Sequence, residues 1–198
     1  MRRAAAILGL ALLPVGWAAA AAGGMTGHMA GHMLAVAVAA PLLAWGLGDT
    51  RLDLARRWPR LAKPMTAMIV ELAVVWGWHL PAARALAHGG GIALVVEQAM
   101  FLAAGMLLWA SVLGTGPERR ASGVGALLLT SMHMTLLGAL IGLAPRPLYA
   151  GALHPHGDHA LADQQLGGVV MLMVGAASYF LGGLAMLATL LRQRGATA

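Results

Sequence analysis

The 198-residue sequence contains no cysteine and few charged or aromatic residues. The absence of cysteine excludes disulfides, thiolate-bound zinc, iron–sulfur clusters and a catalytic thiol. Charged residues make up 10% of the chain and hydrophobic residues 60%, whereas soluble domains are about 25% charged. The composition therefore predicts an all-α, polytopic membrane helix bundle. Any metal site in it must use histidine, methionine, carboxylate or backbone oxygen.

Long hydrophobic runs divide the chain into six predicted membrane segments, since a bilayer needs about 20 apolar residues per helix. The segments cover about 4–22, 28–48, 65–81, 91–113, 121–144 and 163–191. The first has a basic start and an alanine-rich end, so it resembles a signal peptide as well as a span. Residues 1–22 are thus a cleaved leader, which leaves five spans, or the first transmembrane segment. Residues 25–194 form a single helix-bundle domain.

Small residues four apart predict where helices approach one another closely. Gly27 with Gly31, and Gly138 with Gly142, are two such pairs within predicted spans. Small side chains let helix backbones come into contact. We therefore expect each pair to lie against a neighbouring helix.

Basic residues in the loops set the predicted orientation, because Lys and Arg stay on the cytoplasmic side. Six alternating spans with the N-terminus inside place 11 of the 13 basic residues there: Arg2, Arg3, Arg51, Arg56, Arg57, Arg60, Lys63, Arg119, Arg120, Arg192 and Arg194. Arg84 and Arg146 remain outside. The net charge of +6 is thus explained by the orientation of the loops, and we expect no nucleic-acid partner.

The prediction is a multi-pass protein of the bacterial plasma (inner) membrane, embedded in the lipid bilayer. Both termini are cytoplasmic, or the N-terminus lies outside if residues 1–22 are removed.

The same topology places seven of the eight histidines at the outer face, although no histidine was used to set it. His28 and His32 open the second span, His79 closes the third, and His133 lies near mid-membrane in the fifth. The last outer loop is either a metal-gathering tract or an ordinary solvated loop, and it contains His154, His156 and His159. This placement of the histidines predicts a cluster that could bind a metal ion at the outer end of the bundle.

The start of the second span carries the most distinctive pattern. On a helix, the methionines at 25, 29 and 33 share one stripe with His28 and His32, because residues three and four apart are neighbours. Two histidines one turn apart can hold one metal ion, and thioethers suit a soft ion such as Cu(I). Methionine is also a common core residue. We therefore treat Met25, Met29 and Met33 as auxiliary candidates.

Further polar residues lie near the outer ends of the spans. Glu97 and Gln98 lie about two turns into the fourth span, and Asp163 and Gln164 open the sixth. Carboxylates and amides of this kind orient metal-binding imidazoles through hydrogen bonds. Asp163 is also suited to cap its own helix. Glu71 lies inside the third span, which makes it a functional candidate, but the sequence offers no partner for it.

Taken in order, these segments resemble the CtaG family of membrane-embedded cytochrome c oxidase assembly factors. The resemblance covers roughly residues 25–180 and depends on the following elements: His28-Met-Ala-Gly-His32-Met-Leu34 with Ala40-Pro-Leu-Leu43, Trp78-His-Leu-Pro81, Glu97-Gln-Ala-Met-Phe101 with Gly105 and Trp109, His133-Met-Thr-Leu-Leu-Gly138, Pro145-Arg-Pro-Leu-Tyr149 and Asp163-Gln-Gln-Leu-Gly-Gly168 with Met171. At Gln98 the chain departs from the histidine that is usual in the family.

The resemblance implies that the protein is not an enzyme and helps to mature a haem–copper oxidase. It would handle copper for the copper centre of the oxidase catalytic subunit. The hypothesis from the residues is a Cu(I) site with His28, His32 and His79 at its core. Further candidate ligands are Met25, Met29, Met33 and His133, with Glu97, Gln98, Asp163 and Gln164 around them. The alternatives are a small b-type haem protein, with axial ligands among His32, His79 and His133, or a metal transporter.

Overall fold

The computed structural model describes residues 1–89, 91–114, 116, 119–149 and 159–195, and all regular structure in those ranges is helical. The helices are α1 (Arg2–Ala21), α2 (Gly24–Met33), α3 (Ala40–Leu47), α4 (Leu54–Arg57), α5 (Pro64–Trp78), α6 (Pro81–His88), α7 (Ile92–Leu113), α8 (Arg120–Gly142) and α9 (Ala160–Gly195). A π-helical segment, Leu34–Ala39, joins α2 to α3 without a break. The predicted helical membrane bundle is confirmed.

Within the described residues, five helical stretches are long and apolar enough to span a bilayer. They are α1, the continuous stretch Gly24–Leu47, α7, α8 and α9. A sixth span is obtained when α5 and α6 are counted together, but the two helices are bent by 76°. The third predicted segment is therefore a short helix followed by a corner.

The corner between α5 and α6 is caused by proline. Helix α5 ends at Trp78, and Leu80 adopts an extended backbone with φ −64° and ψ 138°. The residue before a proline is disfavoured in the helical region by the proline ring, and Pro81 then opens α6 at a position where its missing N–H costs nothing. His79 lies at this corner.

The π-helical segment leaves one backbone carbonyl without a helical partner. The N–H of Ala40 bonds to the carbonyl of Ala35 rather than Val36. In the π register the carbonyl of Val36 would pair with residue 41, which is Pro41 and has no N–H. The hydroxyl of Tyr179, from α9, lies 3.2 Å from the Val36 carbonyl and shares its single proton between this carbonyl and the carboxylate of Glu71. A side chain of another helix thus completes the hydrogen bonding that the sequence of the second span leaves open.

Glycine contacts hold α1 against the second span. A Cβ atom added to Gly31 would lie 2.8 Å from the Cβ of Ala20, and one added to Gly46 would lie 2.8 Å from the Cβ of Ala6. The chain reverses between the two helices at Gly23, whose φ of 94° is costly for any other residue. Helix α1 is therefore packed as an integral member of the bundle.

Helices α8 and α9 make the same kind of contact. A Cβ atom on Gly138 would lie 2.9 Å from the carbonyl oxygen of Gly168, and one on Gly168 would lie 2.6 Å from the Cα of Gly142. Both predicted small-residue pairs thus lie at helix interfaces, one against α1 and the other against α9.

The basic segments meet at one end of the bundle. The Arg2 guanidinium forms an ion pair with Asp49 at 2.8 Å and donates to the carbonyl of Gly48. The hydrogen bond from Arg2 to the Asp49 carboxylate, with the positive charge of Arg2, holds the pKa of the Asp49 carboxyl below its usual value. At the start of α8, Arg120 donates to Gln193 near the end of α9. The starts of α2, α7 and α9 lie at the opposite end, together with the α5–α6 corner.

Candidate metal centre

Three histidines meet in the interior near the non-basic end of the bundle. His28 and His32 are one turn apart on α2, and His79 comes from the corner after α5. One ring nitrogen from each lies within 4.8 Å of the others, and the side chains are 2%, 0% and 4% exposed. Their ring centroids are 5.1 to 5.8 Å apart. The structure therefore brings together the three residues predicted to form the core of a site.

The hydrogen bonds of the cluster leave ring nitrogens available for a ligand. The Nδ1 atom of His79 lies 2.6 Å from the carbonyl oxygen of Val75, and since a carbonyl only accepts, Nδ1 carries the proton. The lone pair of His79 is then on Nε2, which has no hydrogen-bond partner among the described residues. Neither ring nitrogen of His32 has one. Buried polar atoms are rarely left without a partner, so these nitrogens fit a metal ion.

An aromatic ring closes one side of the cluster. Phe101 of α7 stacks on His32 with ring centroids 4.3 Å apart and an interplanar angle of 23°. The same ring lies 6.1 Å from His28 and 6.0 Å from His79. Phe101 is fully buried, so it keeps water from the cluster and fixes the orientation of His32.

A buried ion pair adjoins the cluster. Arg84 of α6 forms an ion pair with Glu97 of α7, and both side chains are almost completely buried. The Nη1 atom of Arg84 lies 3.1 Å from Nδ1 and 3.3 Å from Nε2 of His28. The Glu97 Oε2 atom is 3.8 Å from the same Nδ1. Sequence reasoning placed Glu97 near the site but missed Arg84. Arg84 could have been recognised in the sequence, because it is one of the few basic residues on the predicted outer side.

Asp163 acts on the helix that carries two of the histidines. Its carboxylate accepts hydrogen bonds from the backbone N–H groups of Met25 at 2.5 Å and Thr26 at 3.2 Å. The Thr26 hydroxyl donates back to the Asp163 carbonyl at 3.0 Å. A carboxylate at a helix N-terminus satisfies unpaired N–H groups and the positive end of the dipole. Asp163 therefore caps α2 from across the bundle, and it also lies in the first turn of its own helix, α9.

Gln164 fixes the loop that follows α8. Its side-chain oxygen accepts from the N–H of Leu148 at 2.6 Å, and its nitrogen donates to the carbonyl of Ile141 at 3.2 Å. The loop carries Tyr149, whose hydroxyl donates to the backbone carbonyl of His79 at 2.9 Å. Burial raises the pKa of Tyr149 to about 12, so the hydroxyl remains a donor. Gln164 thus supports the histidine corner through a loop.

The three methionines lie in one row on α2, next to the histidines. Met25, Met29 and Met33 are fully buried. A Cβ atom on Gly167 would lie 3.0 Å from Met25 Cγ, and one on Gly175 would lie 3.4 Å from Met33 Sδ. The outer members of the row therefore pack on α9. These contacts establish a packing role, and thioether ligation stays a prediction.

The remaining predicted residues lie outside the three-histidine cluster. His133 is buried in α8, and both of its ring nitrogens lack hydrogen-bond partners among the described residues. Gln98 is buried on α7 beside a largely apolar cavity of about 280 Å³ against α1. His159 is exposed just before α9. The other two loop residues of the predicted histidine tract lie outside the described residues, at His154 and His156.

Glu71, which had no partner in the sequence, has one in the structure. Its carboxylate is fully buried in α5 and accepts a hydrogen bond from the hydroxyl of Tyr179. That hydroxyl also lies within hydrogen-bond distance of the Val36 carbonyl. Glu71 therefore belongs to a contact between α5, α9 and the π-helical segment, about two helical turns from His79 along α5.

The fold and the site together define a polytopic helical membrane protein with a buried three-histidine cluster near one end of its bundle. The family model described as cytochrome c oxidase caa3 assembly factor matches residues 2–193, which is nearly the whole chain. The chain belongs to this family of cytochrome c oxidase assembly factors, and the resemblance noted in the sequence is confirmed. No curated protein and no solved structure matches the chain.

Proposed function

We propose that this assembly factor binds one copper ion, as Cu(I), and delivers it to the copper centre of the catalytic subunit of a haem–copper oxidase. His28, His32 and His79 would be the ligands. The observation that carries the proposal is the convergence of three buried imidazoles, several of whose nitrogens have no hydrogen-bond partner among the described residues. Copper here is cargo for another protein, and the chain performs no covalent chemistry of its own.

The charge of the site favours a monovalent ion. The three ligands are neutral imidazoles, and the adjacent carboxylate of Glu97 is already paired with Arg84. The cost of moving an ion into a low-dielectric interior rises with the square of its charge, and the site provides no net negative charge to offset it. Cu(I) is therefore favoured over Cu(II) or Zn²⁺, and imidazole is a suitable ligand for it.

The position of the cluster favours transfer within the membrane. The cluster lies at the end of the bundle opposite to the basic segments, which the charge rule assigns to the cytoplasm. A copper ion bound there would lie near the outer face of a bacterial plasma membrane, within reach of a neighbouring membrane subunit. The family match does not favour the b-type haem protein or the transporter that the sequence left as alternatives.

Copper and haem analysis of the detergent-purified full chain tests the proposal. We expect about one Cu(I) per chain after anaerobic loading, and no haem absorption band. His28→Ala/His32→Ala should lose the copper because it removes two of three ligands. His159→Ala is the matched control, since this histidine is exposed, and it should keep the copper. In cells, the double variant should lower the copper content and activity of the oxidase.

Two further variants test the residues whose roles are unassigned. His133→Ala should retain copper because His133 is not a member of the three-histidine cluster. The triple variant Met25→Leu/Met29→Leu/Met33→Leu should also retain it if the thioethers only pack on α9. Loss of copper in the triple variant would instead make the thioethers ligands. A wild-type protein that binds no Cu(I), or a double histidine variant that binds it normally, would contradict the proposed function.

A further inference from the structure

A buried arginine side chain contacts the three-histidine cluster. Arg84 is 3% exposed, and its Nη1 atom lies within 3.3 Å of both ring nitrogens of His28. A guanidinium has only donors and stays charged, and a neutral imidazole has one acceptor nitrogen, so Arg84 can donate only to the ring nitrogen of His28 that carries the lone pair. A metal ion on His28 needs the same lone pair. Arg84 and the cargo ion therefore compete for one ligand.

The ion pair beside His28 is incomplete as it stands. Glu97 Oε1 accepts from Arg84 Nη1, while Glu97 Oε2 and Arg84 Nε make no hydrogen bond of normal geometry with the described residues. The side-chain amide of Gln98 lies close enough to stabilise the Glu97 carboxylate. Arginine and carboxylate groups commonly form two parallel hydrogen bonds, which are stronger than one. A small rotation of the guanidinium away from His28 would join the two unused atoms. The structure thus contains both a competitor for His28 and a place for that competitor to move.

We propose that Arg84 is a release device for the cargo ion and that Glu97 is the counter-ion which holds Arg84 in its second position. In the empty site, Arg84 donates to His28 and shares one hydrogen bond with Glu97. In the loaded site, it pairs with both oxygens of Glu97 and leaves His28 to the metal. The return of Arg84 to His28 then favours release of the ion. This inference rests on the proposed function and adds the means by which affinity is kept low enough for transfer.

The charges of Arg84 and Glu97 should affect metal affinity in opposite directions. Arg84 and Glu97 cancel, so a bound Cu(I) adds one uncompensated positive charge close to a guanidinium. Unit charges a few ångströms apart interact strongly even at the effective dielectric constant of a protein. Removal of Arg84 should therefore tighten binding, whereas removal of Glu97 should weaken it. A purely structural ion pair predicts something different, because the loss of either partner would then weaken binding.

The test measures the Cu(I) affinity of four full-length, detergent-purified proteins by competition with a Cu(I) chelator under anaerobic conditions. The proteins are wild type, Arg84→Gln, Glu97→Gln and the double variant Arg84→Gln/Glu97→Gln. We expect Arg84→Gln to bind about tenfold or more tightly than wild type, and Glu97→Gln to bind about tenfold or more weakly. The double variant should lie close to wild type because its net charge at the site is unchanged. Transfer of copper to the chelator should be slower from Arg84→Gln than from wild type.

Two further comparisons of Cu(I) affinity isolate the effect of the Arg84 charge. If Arg84→Gln does not fold, the double variant is compared with Glu97→Gln, since this pair also differs only in Arg84, and the double variant should bind more tightly. Arg84→Lys keeps the charge and should bind no more tightly than wild type.

Weaker binding by both single variants, with wild-type binding intact and dependent on His28 and His32, would overturn this inference and leave the proposed function standing. No Cu(I) binding by any of the four proteins would overturn both.

Discussion

Buried polar side chains in this protein are held mainly by backbone groups of other helices. Asp163 binds two N–H groups of α2, and the Tyr149 hydroxyl donates to the carbonyl of His79. The Tyr179 hydroxyl shares its proton between the Val36 carbonyl and Glu71. In an apolar environment an unpaired backbone group is costly, so such contacts fix helix positions. The histidines differ, because several of their nitrogens have no such partner in the part of the chain that the structure describes. This contrast within one bundle distinguishes the candidate metal centre from the framework that supports it.

Glu71 provides a prediction at the scale of a single residue. Glu71→Leu should lower the free energy of unfolding by about 1–3 kcal/mol, because it leaves the Tyr179 hydroxyl with one acceptor fewer in the bundle interior. Glu71→Gln keeps an acceptor oxygen in place and should cost less. Thermal or denaturant unfolding in detergent measures the difference. If Glu71→Gln is as damaging as Glu71→Leu while both bind Cu(I) normally, the negative charge of Glu71 is required, rather than the hydrogen bond.

At the scale of the helix, α1 makes close backbone contact with the second span. The family model begins at residue 2 and so includes α1, and the glycines of the second span fit against it without room for a Cβ atom. A leader peptide that is removed would leave this glycine surface exposed to lipid. The sequence left a first transmembrane helix and a cleaved leader as equal alternatives, and that choice stays a prediction to be tested.

Gly46→Ala tests this choice directly. The added Cβ atom would lie 2.7 to 2.9 Å from three atoms of Ala6, so overpacking should lower the free energy of unfolding by about 1–3 kcal/mol. Gly125→Ala is the matched control, since its Cβ atom would meet nothing within 4 Å and alanine is the better helix former. Equal stability of the two variants, together with an intact mass that lacks residues 1–22, would show that α1 is removed.

At the scale of the whole molecule, the arrangement separates a basic end from a histidine-containing end. Arg2, Asp49 and Gly48 meet at the first, and the α5–α6 corner lies at the second. Since basic segments generally stay on the cytoplasmic side, we expect the candidate metal centre near the outer face. The cargo would then be exchanged without crossing the bilayer through this protein.

The absence of cysteine makes the orientation measurable, because each introduced cysteine is the only thiol in the chain. Leu143→Cys at the end of α8 and Leu52→Cys in the basic loop are both at exposed positions, with 81% and 59% exposure. A membrane-impermeant maleimide should label the first in intact cells and the second only after lysis. The reverse pattern would place the metal centre on the cytoplasmic side and would contradict delivery at the outer face.

The sequence by itself determined the membrane class, the helical segments and the approximate position of the histidine cluster. These follow from local properties, namely hydrophobic length, loop charge and the spacing of His28 and His32 along one helix. The sequence could also place Glu97 near the histidines, because counting turns along a span gives its depth.

Only the tertiary structure decided which side chains meet across helices. Arg84 lies beside His28 because the chain bends at Pro81 between α5 and α6. Packing, rather than the proline alone, sets the direction of that bend. Tyr179 reaches Val36 and Glu71 because α9 lies alongside the second span. Side chains distant in the chain meet according to helix rotation and crossing, which depend on the fit of all the helices together and not on any local pattern.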